Sequence, residues 1–139
     1  MRATIPYDQS RMIELLDHGK FDGGLDLFNR AHFFDAHEVL EDVWRAAPYD
    51  RSLRRHLQGM VQLAVAFHHH SKGNFVGARS VLERGMQNLD GAERSFPSLD
   101  LDQLRAELDI WRRCLETCES ASDVARHPFP PLPKIRRRC

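Results

Sequence analysis

The sequence predicts an all-α fold: a compact bundle of about five to six helices with antiparallel neighbours and an extended, Pro-rich C-terminal tail. Three observations carry this. Apolar residues recur three and four apart over most of the chain, the spacing of one helix face. Strand-like alternation is absent. Glycine and proline fall where helices should stop. At 139 residues and 42% hydrophobic, the chain is the size of one domain and can bury a core. The boundaries expected are a bundle over residues 1–125 and a tail over 126–139.

Each element has its own signals. Asp8 or Ser10 caps a first helix running to about His18, closed by Gly19. A second spans about Gly24 to Ala31, with Leu25, Leu27 and Phe28 as its apolar positions. A third runs from about Phe34 to Ala46 and stops before Pro48. A fourth covers about Asp50 to Lys72, with Gly73 as its C-terminal glycine. Its expected core positions are Leu57, Val61, Val65 and His68, with Met60, Ala64 and Phe67 alongside. Asn74 caps a fifth helix to about Leu89, with Ala78, Val81, Leu82, Met86 and Leu89 on one side. After Pro97, a sixth helix covers about Asp100 to Ser120 through Leu104, Leu108, Trp111 and Leu115. The final HPFPPLPKIRRRC cannot continue a helix, and its prolines favour a polyproline-like strand on the bundle. The short loops make sequence neighbours pack antiparallel.

Charge and composition narrow the function. Twenty basic and twenty acidic residues cancel, which argues against a general nucleic-acid binder. No run of eighteen apolar residues exists to span a membrane, and MRATIPYDQSRM lacks the apolar segment of a signal peptide. Three cysteines suit a reducing cytoplasm better than a disulfide framework. Cys114 and Cys118 read as small apolar helix residues. No serine or cysteine has an obvious base partner, and no glycine pattern matches a phosphate-binding loop.

The richest stretch is FFDAHEVLEDVW, residues 33–44. His37 and Glu41 are four apart and share a helix face, beside an apolar stripe that includes Leu40, Val43 and Trp44. On the fourth helix Gln58 and Gln62 share a face that continues to His69. If that face meets the third helix, His37, Glu41, Gln58, Gln62 and His69 or His70 converge. Gly59 allows a close helix approach there, at about 1 kcal/mol of helix propensity relative to alanine. Arg79 is placed to pair with Glu38 or Glu41, as arginine does well with carboxylates.

These residues carry a resemblance. FNRAHFFDAHEVLEDVWR (28–45) and LQGMVQLAVAFHHHSKGNFVGARSVLERGMQNL (57–89) resemble a bacterial and archaeal family catalogued as domain of unknown function 309. Its pattern is matched by Phe33, Phe34, Ala36, His37, Glu38, Leu40, Glu41 and Trp44. The match continues with Gln58, Gly59, Gln62, Gly73, Asn74, Gly77 and Ala78. The resemblance implies a compact helical bundle and supplies no activity.

Several readings of the polar set stay open, and whether the chain is an enzyme is not decided. One is a hydrogen-bonded cluster that fixes helix packing, since each unpaired buried polar group costs roughly 1–3 kcal/mol. A second is a groove between the third and fourth helices, formed by His37, Glu38, Glu41, Trp44, Gln58, Gln62 and Arg79. This makes the chain a small cytoplasmic binding or scaffold module for a protein or small molecule. The alternative is a metal-dependent hydrolase or oxidoreductase, in which His37, Glu41 and His69 hold a divalent metal. HEVLE shares only its first two residues with the zinc-protease pattern, so protease activity is not expected. Adjacent helical residues diverge by about 100°, so only one of His68, His69 and His70 should face inward. A weaker alternative is RNA cleavage through Arg51 and His56, whose spacing fits a motif of helical-bundle ribonucleases. A solvated face is the simpler reading of Arg51, Arg54 and Arg55. A homodimer is compatible with the exposed aromatics expected of a short bundle.

Overall fold

The computed structural model describes residues 16–118 and 128–138. Five α-helices follow one another: α1 (His18–Asn29), α2 (Phe33–Ala46), α3 (Arg51–Ser71), α4 (Phe75–Asn88) and α5 (Leu101–Glu116). A short 3-10 segment, Ala92–Arg94, links the last two. Each helix packs on its sequence neighbour. Among the described residues there is no β-sheet, only an isolated antiparallel bridge between Leu99 and Arg137.

Capping side chains explain most boundaries. The Asp17 carboxylate accepts from Lys20 N at 3.0 Å, that of Asp50 from Leu53 N at 2.8 Å, and that of Asp100 from Gln103 N at 3.1 Å. Asn74 Oδ1 accepts from Gly77 N at 2.9 Å, as expected of a cap at that position. Gly73 takes φ +78°, the left-handed turn that ends α3. The start of the chain differs from expectation. The first predicted helix lies mostly outside the described residues. Gly19 does not close a helix but sits in the first turn of α1, because Asp17 caps there. At its other end α1 stops at Asn29 rather than Ala31, which turns left-handed at φ 62°. Helix α5 ends at Glu116, so Cys118 lies just past it, buried. Ser120 lies outside the described residues.

The core stripe of α3 is Leu53, Leu57, Met60, Leu63, Ala64 and Phe67, all buried. Their spacing of three and four residues makes one face. It is rotated from the expected stripe: Val61, Val65 and His68 are only half-buried. The α4 and α5 positions fall as read, with Ala78, Leu82, Leu89, Leu104, Leu108, Trp111 and Leu115 buried and Val81 and Met86 packed against them. An aromatic chain crosses the bundle, from Phe28 to Phe67 (5.9 Å between ring centres), Phe67 to Trp111 (5.1 Å) and Trp111 to Phe129 (5.0 Å). Residues 128–138 lie on this surface. Trp111 Nε1 donates to the Pro131 carbonyl at 3.0 Å. The Asn29 amide pairs with the Ile135 backbone, giving to its carbonyl at 2.8 Å and taking from its N–H at 2.7 Å.

Two glycines set the separation of α3 and α4. A Cβ at Gly59 would lie 2.9 Å from Leu89 Cγ and 3.1 Å from the Gly85 carbonyl. A Cβ at Gly85 would lie 3.2 Å from Gln62 Cβ and 3.3 Å from the Gly59 carbonyl. The backbones meet there, so the close approach expected at Gly59 is found, but in a seam against α4 rather than against the third predicted helix. Nearby, His56 is buried at 2% exposure. Its Nδ1 lies 2.5 Å from Ser95 Oγ and its Nε2 3.1 Å from the Asp90 carbonyl. A carbonyl only accepts, so Nε2 carries the proton. The ring ties α3 to the α4–α5 connection.

Two outcomes follow. Gly59→Val should lower stability by about 1–3 kcal/mol through overpacking of the seam, read as a lower urea midpoint with unchanged slope. An unchanged midpoint would show that the seam is not tight. Burial lowers the His56 pKa below 6.5, and burial lowers that of His70 likewise. A lowered folded-state pKa means that the unfolded chain binds the proton first. This stabilisation is therefore complete above pH 6.5 and is lost as pH falls from there through the folded pKa. Urea midpoints between pH 7.5 and 5.5 should fall for the wild type and fall less steeply for His56→Gln. An equal slope in both would remove His56 as a source.

Candidate functional site

The connection between α2 and α3 builds a charged groove. Helix α2 cannot pass Pro48, and Ala47 before it is extended at ψ 149°. Asp50 then caps α3 so that the helix begins at Arg51. That start places Arg51, Arg54, Arg55 and Gln58 three and four residues apart on a single face, turned away from the buried stripe of the same helix. Trp44 and Tyr49 complete the lining of a cavity of about 510 Å³.

The groove is basic and aromatic. The Arg54 guanidinium lies 5.2 Å from the Trp44 ring centre and 5.6 Å from that of Tyr49, within cation–π range. Its Nη1 also donates to the Ala47 carbonyl at 3.2 Å. Arg55 donates to the Gln87 carbonyl at 2.7 Å. Tyr49 is 97% exposed. No carboxylate lines the cavity. Elsewhere Arg30, Arg45, Arg105, Arg112, Arg113, Arg136 and Arg137 each meet an acid, whereas among the described residues Arg79, Arg84, Arg94 and Arg138 do not, and these four do not share one cavity. Among the described residues none of Arg51, Arg54 and Arg55 meets an acid. Three other surface cavities, of about 220, 250 and 400 Å³, are lined by one arginine or none. Asp50, 2% exposed, is spent on the cap through Oδ1, while its Oδ2 is buried without a hydrogen-bond partner. The α3 N-terminus, where the helix dipole is positive, tolerates that charge.

The predicted polar residues do not converge. His37 and Glu41 do meet, with Nε2 and Oε2 3.0 Å apart and both side chains 28% exposed, and Arg45 holds the other Glu41 oxygen at 2.7 Å. Glu38 is exposed. Arg79 pairs with neither glutamate, since α4 packs on α3 rather than on α2. Gln62 turns towards α4 and accepts from Asn88 Nδ2 at 2.7 Å. Only Trp44 and Gln58 of the expected groove line the observed one.

The histidine run splits by helical geometry. His68 faces the Phe34 ring at 5.4 Å. His69 Nδ1 lies 3.3 Å from Asn74 Nδ2. His70 packs among Trp111 (4.9 Å) and Phe129 (4.6 Å), so it is the inward member. His69 thus does not join His37 and Glu41. Among the described residues no three His, Cys, Asp or Glu side chains are grouped to hold a metal ion. For RNA cleavage the arrangement is also wrong, since His56 is buried with both ring nitrogens engaged. His56 does have a serine partner, Ser95, which the sequence did not disclose, but Ser95 is buried as well. Tyr49 was missed altogether. The signal available for it was the Pro48-Tyr49 turn, followed by arginines at helical spacing.

Comparison with known proteins agrees with the resemblance seen in the sequence. A relative described as uncharacterized protein YpuF of Bacillus subtilis (strain 168) is 32% identical over 90 residues, 65% of this chain and 51% of its own length. An uncharacterized protein of Aquifex aeolicus (strain VF5) is 26% identical over 100 residues, 72% of this chain and 28% of its own. The chain thus spans about half the length, or less, of these relatives. Neither description carries an activity that could be transferred. No helix among the described residues is long and apolar enough to cross a membrane. Residues 21–81, which hold most of α1, all of α2 and α3 and the first half of α4, match the profile of the family described as Domain of unknown function (DUF309).

Proposed function

We propose that this chain is a small cytoplasmic binding module whose groove at the α2–α3 connection takes an anionic ligand. The observation that supports this reading is the charge imbalance of the groove. Arg51, Arg54 and Arg55 line it without a carboxylate partner, although acids and bases are equal over the whole chain. Guanidinium groups that meet only backbone carbonyls or rings, with no carboxylate to neutralise them, keep N–H donors for phosphate or carboxylate at a concave surface. The Trp44 and Tyr49 rings hold Arg54 in place, so little side-chain freedom is lost on binding. Two donors, His37 and Glu41, do not make a metal site by themselves, and binding rather than catalysis fits the lining. The free thiol of Cys114 accords with a reducing compartment.

The test is an NMR titration of arginine side-chain Nε–Hε signals with inorganic pyrophosphate. Saturable shifts should concentrate on Arg51, Arg54 and Arg55, and Arg51→Glu should weaken binding by about ten-fold or more, the scale of one charged hydrogen bond. Arg51 is exposed and makes no contact that folding needs, so the variant should keep the wild-type melting temperature. Shifts spread evenly over all arginines, or none, would overturn the reading.

A further inference from the structure

We infer that the ligand of this groove is a single nucleoside phosphate, with its phosphate on Arg51 and Arg55 and its base stacked on Tyr49. This rests on the anion-binding reading above and names the ligand class. Anion binding alone accounts for the arginines but not for the rest of the lining. A tyrosine 97% exposed at the rim of a charged cavity presents a bare π-face, and base stacking on such a face is sequence-tolerant and favourable. Arg54, already between Trp44 and Tyr49, backs one face of the Tyr49 ring and holds the ring in place, so that a planar base can lie on the other face. Gln58, exposed on the same helix face, offers an amide with both donor and acceptor, the complement of a base edge. An acidic peptide would use the arginines and leave the ring and the amide idle. A ring, an anion and a polar edge within one cavity make a nucleotide.

Size and charge favour one unit over a strand. The cavity of about 510 Å³ lies within the roughly 300–1,000 Å³ of small-molecule sites. A strand needs a long cationic track, whereas the three arginines here belong to two turns of one helix on a chain of zero net charge.

The experiment is calorimetric titration of the full chain with adenosine monophosphate, with ribose 5-phosphate as the probe lacking a base, and with a tetra-adenylate. The nucleotide should bind about ten-fold or more tightly than ribose 5-phosphate, and Tyr49→Ala should erase that difference. Tyr49 is exposed, so the variant should retain the wild-type circular dichroism and melting temperature. Arg51→Gln should weaken both phosphates alike. If the nucleotide and ribose 5-phosphate bind equally, or Tyr49→Ala changes nothing, the nucleotide assignment falls and the anion groove stands. If neither these probes nor pyrophosphate binds, both fall. A tetra-adenylate more than ten-fold tighter than the monophosphate would overturn the single-unit assignment.

Discussion

Helix α3 is the constraint on which the other elements depend. It contacts α2 and α4 and reaches the α4–α5 connection through His56. At the Gly59–Gly85 seam its backbone touches that of α4, and on its buried stripe Leu53, Leu57, Met60, Leu63 and Phe67 fill the centre of the bundle. Each such side chain contributes roughly 1.5–3 kcal/mol when fully buried. A rigid seam on one side and a packed stripe beside it leave no rotational freedom about the helix axis. The outward direction of every other α3 residue is thereby set, including the arginines of its first two turns.

The groove is a by-product of that fixed rotation. Pro48 stops α2, Asp50 starts α3, and the turn between them carries Tyr49 out into solvent. Arg54 closes the corner by lying against both aromatic rings and holding the Ala47 carbonyl. One side chain therefore joins the end of α2 to the start of α3 and shapes the site, while Arg51 is exposed and Arg55, also exposed, reaches the Gln87 carbonyl of α4. The position at a helix start matters electrically as well. The positive end of the α3 dipole adds to the guanidinium charges there, and the only acid at the turn, Asp50, faces inward to the cap.

Much of this architecture was legible in the sequence. The segments read as 34–46, 50–72 and 74–89 lie within one or two residues of the observed helices, because Asp50, Gly73, Asn74 and Pro48 act locally and their chemistry can be read one residue at a time. The start of α1 was not legible, since Gly19 resembles a helix stop and only the Asp17 cap outweighs it. The site was read less well, and the reason is rotational. Gln58 and Gln62 share a face of α3 on paper, but Gln62 meets Asn88 of α4 while Gln58 reaches the groove. Periodicity shows which residues share a stripe, not which neighbour that stripe meets. Val65 was placed in the core by the same error of about one helical position, while Val61 packs against the edge of the core, and His69 was expected beside His37 although it turns to Asn74. Gly59 was legible as a close helix approach, because a glycine inside a helix is costly unless another backbone needs the space, but its partner is α4 and not the third predicted helix.

The arginine groove could be seen only once its partners were known, since arginine counts alike in a composition whether a carboxylate meets it or not. The most direct test of the account is anomalous diffraction from crystals grown with 8-bromoadenosine monophosphate, in a lattice that leaves the α2–α3 turn open. The account predicts a bromine peak over the Tyr49 ring, with phosphate density between Arg51 and Arg55. Bromine ordered elsewhere on the bundle, with these arginines turned into solvent, would contradict it.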